Sequence, residues 1–259
     1  FGSEIKSILQ HSSVKKELNE EAVYSYLSFQ FSARSESFFK GIFELPPGHF
    51  ITYSREEGVQ VKEYWDPKFE TDETLSLEEA VKKIEDVFED SVKVHLTADT
   101  EVGSFLSGGI DSSVIVAQSR PDKTYSVGFA NEGFDETGEA KALCQELDLK
   151  NISKTITADE FFSALPAIQY YADEPNANLS TVPLYFLSQL AAKDVKVVLS
   201  GEGSDELFGG YITYHTTKPY RAYRKLPFAL RKAVAAVAAK LPTFHGQGFL
   251  TSAAKDIRD

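Results

Sequence analysis

A serine- and glycine-rich segment with one acidic residue carries the strongest chemical signal in the sequence. Residues 101–113 read EVGSFLSGGIDSS, and the apolar stretch before SGG predicts a short buried strand. The turn that follows predicts a helix beginning at Ile110, whose first turn presents unbonded backbone N–H groups and the positive end of its dipole at one point. An anion such as phosphate can bind there. Three hydroxyl groups would add donors around it: Ser107, Ser112 and Ser113.

This loop does not match the better-known phosphate-binding motifs. A Walker loop needs a lysine before a serine or threonine, and the segment contains no lysine. The dinucleotide fingerprint needs a third glycine, and Ser112 stands in that position. The loop carries Asp111 instead, and a carboxylate beside phosphates is repulsive unless a cation lies between them, so Asp111 predicts Mg²⁺. An ordinary glycine-rich turn with solvated serines is the alternative interpretation.

A second glycine-rich segment, at 200–211, follows a predicted strand at 195–199. It reads SGEGSDELFGGY, with four glycines in twelve residues. Glycines allow the backbone to approach a ligand closely, and loops at strand ends often carry function. Its three acids would put carboxylates at the edge of such a ligand: Glu202, Asp205 and Glu206. An acidic surface loop is the alternative.

The region from residue 101 onward alternates between strand and helix patterns, which predicts a parallel sheet with helices on both faces. The predicted strands are 101–106, 124–129, 151–156 and 195–199, and the predicted helices are 110–119, 135–147, 158–171 and 183–193. Ligands of such sheets bind beyond the carboxyl ends of the strands. The turns after residues 106, 129 and 199 are therefore expected to line one crevice.

The region before residue 101 is predicted to be scaffold, linker and one long helix. The predicted elements are a strand leading into a short helix at 1–9, a helix at 20–31 with Asn19 as its N-cap, and short strands within 40–54 and 59–66 with a turn at Pro46-Pro47-Gly48. Residues 66–77 are polar and acidic and indicate a linker. Ser76 and Glu79 form a capping-box pattern that opens a helix through about residue 95. Near the other end of the chain, 220–241 predicts a basic, alanine-rich helix.

Composition limits the classes of function. The 259 residues carry a net charge of −12, which argues against a nucleic-acid-binding domain. Cys144 is the only cysteine, so no internal disulfide can form and a cytoplasmic location is expected. No apolar run approaches the roughly 20 residues of a membrane helix, and no membrane association is expected. Because the sequence lacks methionine and starts with Phe1-Gly2, we expect it to be an internal segment of a longer protein.

Four motifs together resemble the glutamine-dependent asparagine synthetases of the bacterial B type, which are N-type ATP pyrophosphatases. They are FLSGGIDSS, YSVGF, DEP at 173–175 and LSGEGSDELFGGY. The resemblance implies a parallel, doubly wound α/β sheet of the adenine nucleotide alpha hydrolase-like type in a synthetase domain at 78–259, incomplete at its C-terminus. It implies that residues 1–66 are the closing part of an Ntn-type α+β glutamine amidotransferase domain, and that 67–77 is a linker.

The same resemblance implies a reaction and a set of site residues. The side-chain carboxylate of aspartate attacks the α-phosphate of ATP, pyrophosphate leaves, and ammonia derived from glutamine displaces AMP from the aspartyl adenylate. Asp111 and Asp205 would hold Mg²⁺, and Glu202 would lie near the adenylate or the ammonia. The pyrophosphate would bind Ser107, Gly108, Gly109, Asp111, Ser112 and Ser113, and the adenosine would border Leu106, Val127, Ser200 and Gly201.

Some features of the family are not found in this sequence. Its amidotransferase nucleophile is an N-terminal cysteine, whereas Cys144 falls in the middle of a helix pattern and is not assigned that role. We expect the segment to be inactive alone, and a homodimer is compatible with the resemblance. Two alternatives stay open: an adenylating amide ligase for another acid, as in β-lactam synthetases or peptide maturation, and a non-catalytic nucleotide-binding module.

Overall fold

The structure, a computed structural model, describes residues 1–32, 34–130, 133, 135–214, 218–240 and 250. The chain forms two units, one comprising Phe1–Gly201 and the other Glu202–Asp259. Within the described residues, no helix is both long and apolar enough to cross a membrane.

The centre of the first unit is a four-stranded parallel sheet. Its strands are β3 (Val102–Phe105), β4 (Lys123–Phe129), β5 (Asn151–Ile156) and β6 (Val197–Leu199), in the order β5-β4-β3-β6. The strand β3 pairs with β4 on one side and with β6 on the other, so that Ser104 lies opposite both Thr124 and Leu199. The predicted parallel sheet is therefore confirmed, with β3 and its following loop at an interior position.

Helices cover both faces of this sheet. They are α4 (Ile110–Ser119), α5 (Thr137–Leu147), α6 (Ala158–Ala172) and α7 (Thr181–Ala191). On one face, Leu106 packs with Val116 of α4 and Cys144 of α5. On the other face, Ile156 packs with residues of α6 and α7. Each helix begins within about two residues of its predicted start, because the apolar periodicity along the chain is clear.

Before the sheet, the described residues of the first unit form three helices and one hairpin. They are α1 (Ile5–Ile8), α2 (Glu20–Phe29), β1 (His49–Ser54), β2 (Gly58–Glu63) and α3 (Leu77–His95). Asn19 caps α2 by accepting from the amides of Glu21 and Ala22, as predicted. Ser76 and Glu79 form the predicted capping box of α3.

Two local predictions for this region were wrong. No strand forms within 1–9, where only the short helix α1 is present. The hairpin turn lies at 55–57, and Pro46-Pro47-Gly48 precedes β1 instead of joining the two strands. Proline has no N–H donor, so it interrupts the hydrogen bonding between strands. Its presence therefore indicates a strand boundary but does not identify which two strands a turn joins.

The second unit is helical in its described part. It contains α8 (Ser204–Phe208), a 3₁₀ turn at Ile212–Tyr214, α9 (Lys218–Arg224) and α10 (Phe228–Ala238). The single helix predicted at 220–241 is thus two helices. Pro227 is the N-cap of α10 and has no backbone N–H to continue a helix through this point. The last residue of the predicted helix, 241, lies outside the described residues, as do the residues that follow it up to 249.

Candidate functional site

The loop between β3 and α4 is a tight turn of four residues, 106–109. Gly108 has φ +89°, a left-handed conformation that favours glycine. A Cβ on Gly108 would lie 3.0 Å from the Cβ of Glu139 and 3.1 Å from the carbonyl oxygen of Glu136. Both of these residues are at the start of α5, which follows β4. The loop after β3 therefore lies against the start of α5, the helix that follows the neighbouring strand β4.

Two serine hydroxyls hold this loop in shape from inside. Ser112 Oγ accepts a hydrogen bond from the Ser107 amide at 3.2 Å and donates one to the Gly109 carbonyl at 3.2 Å. The Gly109 amide donates to Ser107 Oγ at 3.3 Å, and the two hydroxyl oxygens lie 3.1 Å apart. Because the single O–H of Ser112 is used within the loop, this residue shapes the turn in the described conformation.

The start of α4 has the features of an anion site. Gly109 is its N-cap and provides no capping side chain. The amides of the first helical turn, beginning with Ile110 and Asp111, have no carbonyl four residues earlier in the helix to bind. Asp111 is exposed, and its carboxylate makes no hydrogen bond or ion pair with any residue that the structure describes. Backbone donors and one available carboxylate thus lie side by side.

The segment after β6 lies directly against this helix start. A Cβ on Gly201 would lie 2.9 Å from the amide nitrogen of Ser112 and 3.0 Å from the Cβ of Asp111. Only glycine allows this approach without displacing the loop. The structure therefore brings together Ser200–Gly201 and the loop at 107–113, which the sequence predicted as parts of one crevice.

Val127 occupies a position suited to main-chain contacts. The amide of Thr124 donates toward β5, whereas the carbonyl of Tyr125 accepts from Leu106 on the β3 side. Since alternate residues of a parallel strand bond to opposite neighbours, the N–H and C=O of Val127 face the β3 side. They lie beyond Phe105, the last residue of β3. The side chain of Val127 packs against the α6–α7 face of the sheet.

Leu106 and Ser113 make contacts that stabilise the fold around the loop. Leu106 is 1% exposed, and its amide and carbonyl bind Tyr125 and Ser126, so the residue anchors the end of β3. The amide of Ser113 donates to the Gly109 carbonyl at 3.1 Å, which continues α4.

Polar residues beneath the loop, among them the buried Thr124 and Ser126, were missed by sequence reasoning. The Ser126 hydroxyl donates to the Leu106 carbonyl at 2.7 Å. Asn151 Nδ2 in turn donates to the hydroxyls of Thr124 and Ser126, at 2.9 and 3.0 Å. These contacts fix the end of β3, from which the loop starts. Polar residues within a predicted strand were the only available signal.

From Glu202 onward, the acidic glycine-rich segment belongs to the second unit and folds into α8 and the turn after it. Gly203 and Gly209 flank α8 with φ +91° and +66°. The Tyr211 hydroxyl donates to Glu206 Oε1 at 2.8 Å, and this hydrogen bond raises the pKa of Tyr211 to about 12. Glu202 and Asp205 belong to this unit too, so their pairing with Asp111 stays a prediction.

The residues present offer one carboxylate that could bind a magnesium ion, that of Asp111. No group of three or more His, Cys, Asp or Glu side chains converges within the described part of the chain. Mg²⁺ does not require such a cluster when it binds with a nucleotide, because one or two carboxylates, phosphate oxygens and waters complete its coordination. The exposed Asp111 carboxylate beside the helix start would supply an oxygen ligand of this kind.

Comparison with known protein families covers most of the chain. A family model described as asparagine synthase matches residues 83–255, and one described as glutamine amidotransferase domain matches residues 1–65. Among curated proteins, asparagine synthetase [glutamine-hydrolyzing] 1 of Bacillus subtilis is 38% identical over 264 residues, covering 100% of this chain and 42% of that protein. A putative asparagine synthetase [glutamine-hydrolyzing] of Mycobacterium tuberculosis is 38% identical over 233 residues, covering 87% of this chain and 36% of that protein.

The chain thus spans well under half the length of these curated relatives. Among solved structures, the NH3-dependent NAD synthetase of Campylobacter jejuni is similar with a TM-score of 0.32 and 21% identity, covering 53% of this chain and 61% of that one.

Proposed function

Because this chain belongs to the asparagine synthase family, we propose that it is part of an enzyme that makes asparagine from aspartate, ATP and glutamine-derived ammonia. In the first step, a carboxylate oxygen of aspartate bonds to the α-phosphorus and the bond to the leaving pyrophosphate breaks. In the second, the ammonia nitrogen bonds to the acyl carbon, AMP leaves with the bonding electrons, and the nitrogen loses a proton to a nearby base.

The contact of Gly201 with the Asp111–Ser112 backbone is the observation that supports this proposal most strongly. This contact brings together two motifs that are about ninety residues apart in the sequence. They meet at the start of α4. In the proposal, the 107–113 loop binds the pyrophosphate part of ATP through backbone amides, and Ser200, Gly201 and the main chain of Val127 border the adenosine. Fixed amides stabilise charge on the leaving group without reorganising, which is how a site with no activated nucleophile accelerates this reaction.

Acidic residues complete the proposed site. Asp111 and Asp205 would hold Mg²⁺, which when bound offsets the negative charge that builds on the phosphates. Glu202 would lie beside the aspartyl adenylate or the incoming ammonia. A carboxylate in that position can accept the proton that the attacking nitrogen loses.

The wider organisation is also part of the proposal. We assign residues 1–66 to a glutamine amidotransferase domain, 67–77 to a linker and 78–259 to the synthetase domain, in a cytoplasmic enzyme for which a homodimer is one arrangement to test. Cys144 is 2% exposed in α5, 3.1 Å from the Thr124 hydroxyl, so its environment is that of a core residue and not of a nucleophile.

Exchange of radiolabel between pyrophosphate and ATP tests the proposal in the whole protein that carries this chain. Exchange that requires aspartate, followed by asparagine formation when ammonia is added, is the expected result. Exchange that requires a different carboxylic acid would replace aspartate by that acid and make the protein another adenylating amide ligase. Binding of ATP with no exchange for any acid would indicate a nucleotide-binding module and overturn the enzymatic proposal.

A further inference from the structure

Two consecutive acidic residues of the α/β part, Asp173 and Glu174, bind the part of the chain at 1–65. We call them the acidic pair. They follow the last helical residue of α6, and Asp173 has φ +62°. They belong to the DEP motif at 173–175, to which the proposed reaction assigns no role.

Asp173 binds the start of α1 through both carboxylate oxygens. The amide of Ile5 donates to Oδ2 at 2.7 Å, and the amide of Lys6 donates to Oδ1 at 3.2 Å. Lys6 Nζ lies 2.8 Å from Oδ1, and the two side chains are only 18% and 11% exposed. The hydrogen bond with Asp173 raises the pKa of Lys6. A partly buried carboxylate with three donors is a strong, geometrically specific attachment.

Lys6 extends this attachment to the neighbouring aromatic residues. Its Nζ lies 5.3 Å from the ring centre of Tyr170 and 5.9 Å from that of Tyr171, and donates to the Tyr171 carbonyl at 3.4 Å. The end of α6 thus encloses one cation of the 1–65 part. Cation–π contacts of this kind strengthen when the cation is withdrawn from water.

Glu174 binds a second, separate element of the 1–65 part. The amide of Phe38 donates to Glu174 Oε1 at 2.6 Å, and Phe38 is only 6% exposed. The carbonyl of Phe38 accepts from the amide of Asn19 at 2.8 Å, and Asn19 caps α2. Burial raises the pKa of the Glu174 carboxyl. The acidic pair therefore attaches two separate elements of the 1–65 part, which restricts its orientation as well as its distance.

The two sides of this contact match different families. Residues 1–65 match the glutamine amidotransferase model, whose chemistry releases ammonia, and the acidic pair lies within the match to the asparagine synthase model. Ammonia is a small base that is rapidly protonated when it escapes into water at neutral pH. Its direct transfer from one part to the other therefore depends on how the two parts are aligned. Resting on the proposed function, we infer that Asp173 and Glu174 are positioning residues that couple glutamine hydrolysis to amide formation.

The test measures, in the whole protein, asparagine formed from glutamine, asparagine formed from added ammonium, and glutamate released per asparagine. Asp173→Asn removes the charge and places an amide NH₂ group against a backbone N–H. Asp148→Asn is the matched control, because Asp148 also ends a helix with a positive φ, +54°. Glu174→Ala removes the acceptor for Phe38, whereas Glu174→Gln retains a side-chain oxygen in the same place.

We expect Asp173→Asn and Glu174→Ala to raise the glutamate released per asparagine by at least about fivefold, with the ammonium-dependent rate within twofold of wild type. Glu174→Gln and Asp148→Asn are expected to match the wild type. An unchanged ratio in both Asp173→Asn and Glu174→Ala would overturn the inference and leave the proposed function intact. So would equal loss of the glutamine- and ammonium-dependent rates, which indicates a purely structural role. A wild-type protein that forms no asparagine from either nitrogen source would overturn the proposed function, and the inference with it.

Discussion

Gly201 lies so close to Ser112 that a Cβ built on the glycine would be 2.9 Å from the Ser112 amide nitrogen. Gly201→Ala is therefore expected to displace one of the two loops. The overpacking should lower the free energy of unfolding by about 1–3 kcal/mol, and it should reduce ATP–pyrophosphate exchange by more than this loss of stability explains. Urea unfolding and exchange rates measure the two effects.

Gly138→Ala is the control for that substitution. A Cβ on Gly138 meets nothing within 4 Å, and the residue lies in α5. Alanine there should stabilise the helix by up to about 1 kcal/mol and leave exchange unchanged. Equal stability and exchange in the Gly201 and Gly138 variants would mean that the close approach has no importance for the site.

Ser112→Ala tests whether the loop depends on its internal hydroxyl. The substitution leaves the Ser107 amide and the Gly109 carbonyl without their partner, which should cost about 1–3 kcal/mol of unfolding free energy. Ser119→Ala is a matched control in the same helix, because the buried Ser119 hydroxyl has no hydrogen-bond partner within the described residues. Its unfolding free energy should stay close to that of wild type. Chemical denaturation of both variants decides the point, and similar losses would argue against a role for the Ser112 network.

Asp111→Asn should abolish ATP–pyrophosphate exchange while the protein stays folded. The amide keeps the size of the side chain but loses the charge with which it would hold Mg²⁺, and a loss of several kcal/mol of charge stabilisation lowers the rate at least about a hundredfold. Circular dichroism and urea unfolding verify the fold, and Asp148→Asn controls for the loss of one negative charge. Exchange at the wild-type rate in Asp111→Asn would remove this residue from the reaction.

The free energy of unfolding should depend on pH through the ionisation of Glu174. Because burial raises its pKa, the folded protein holds this proton more readily than the unfolded chain. The resulting stabilisation is fully present below the unfolded pKa and is lost as the pH rises through the raised folded value. The free energy of unfolding of wild type minus that of Glu174→Gln should therefore fall with rising pH across this window.

Glu79→Gln should show the opposite sign. Hydrogen bonding from the Ser76 backbone lowers the pKa of Glu79, so its stabilisation is present above the unfolded pKa and is lost as the pH falls through the folded value. Urea unfolding at a series of pH values measures both differences. Parallel pH profiles for the two variants would contradict the assigned surroundings of Glu174.

Local patterns were sufficient to predict the elements that carry the loop. The helix α4 was predicted at 110–119 and spans Ile110–Ser119. Gly109 marks its start, and the apolar repeat that follows indicates how far it extends. The capping box of α3 was visible for the same reason: both of its partners are three residues apart. The short helix α8 was not predicted, since a segment with glycines on both sides has weak helical propensity and its helix depends on packing.

Contacts between distant parts of the chain were not predictable in this way. Asp173 and Ile5 are 168 positions apart, and no periodicity relates them. The DEP motif drew attention to Asp173 and Glu174 only through a family resemblance, which gives no partner. Similarly, the need for glycine at 201 depends on a helix start that lies elsewhere in the chain.

The hydrogen bonds between Ser107, Gly109 and Ser112 hold the turn after β3 in shape through contacts within the chain itself. A turn that is held by its own hydrogen bonds loses little conformational freedom when it binds a ligand, which favours affinity for an oxyanion of suitable size. On the proposed function, released pyrophosphate would meet the same surface that receives the next nucleotide. We expect inorganic pyrophosphate to compete with ATP and the reverse reaction to be readily observable.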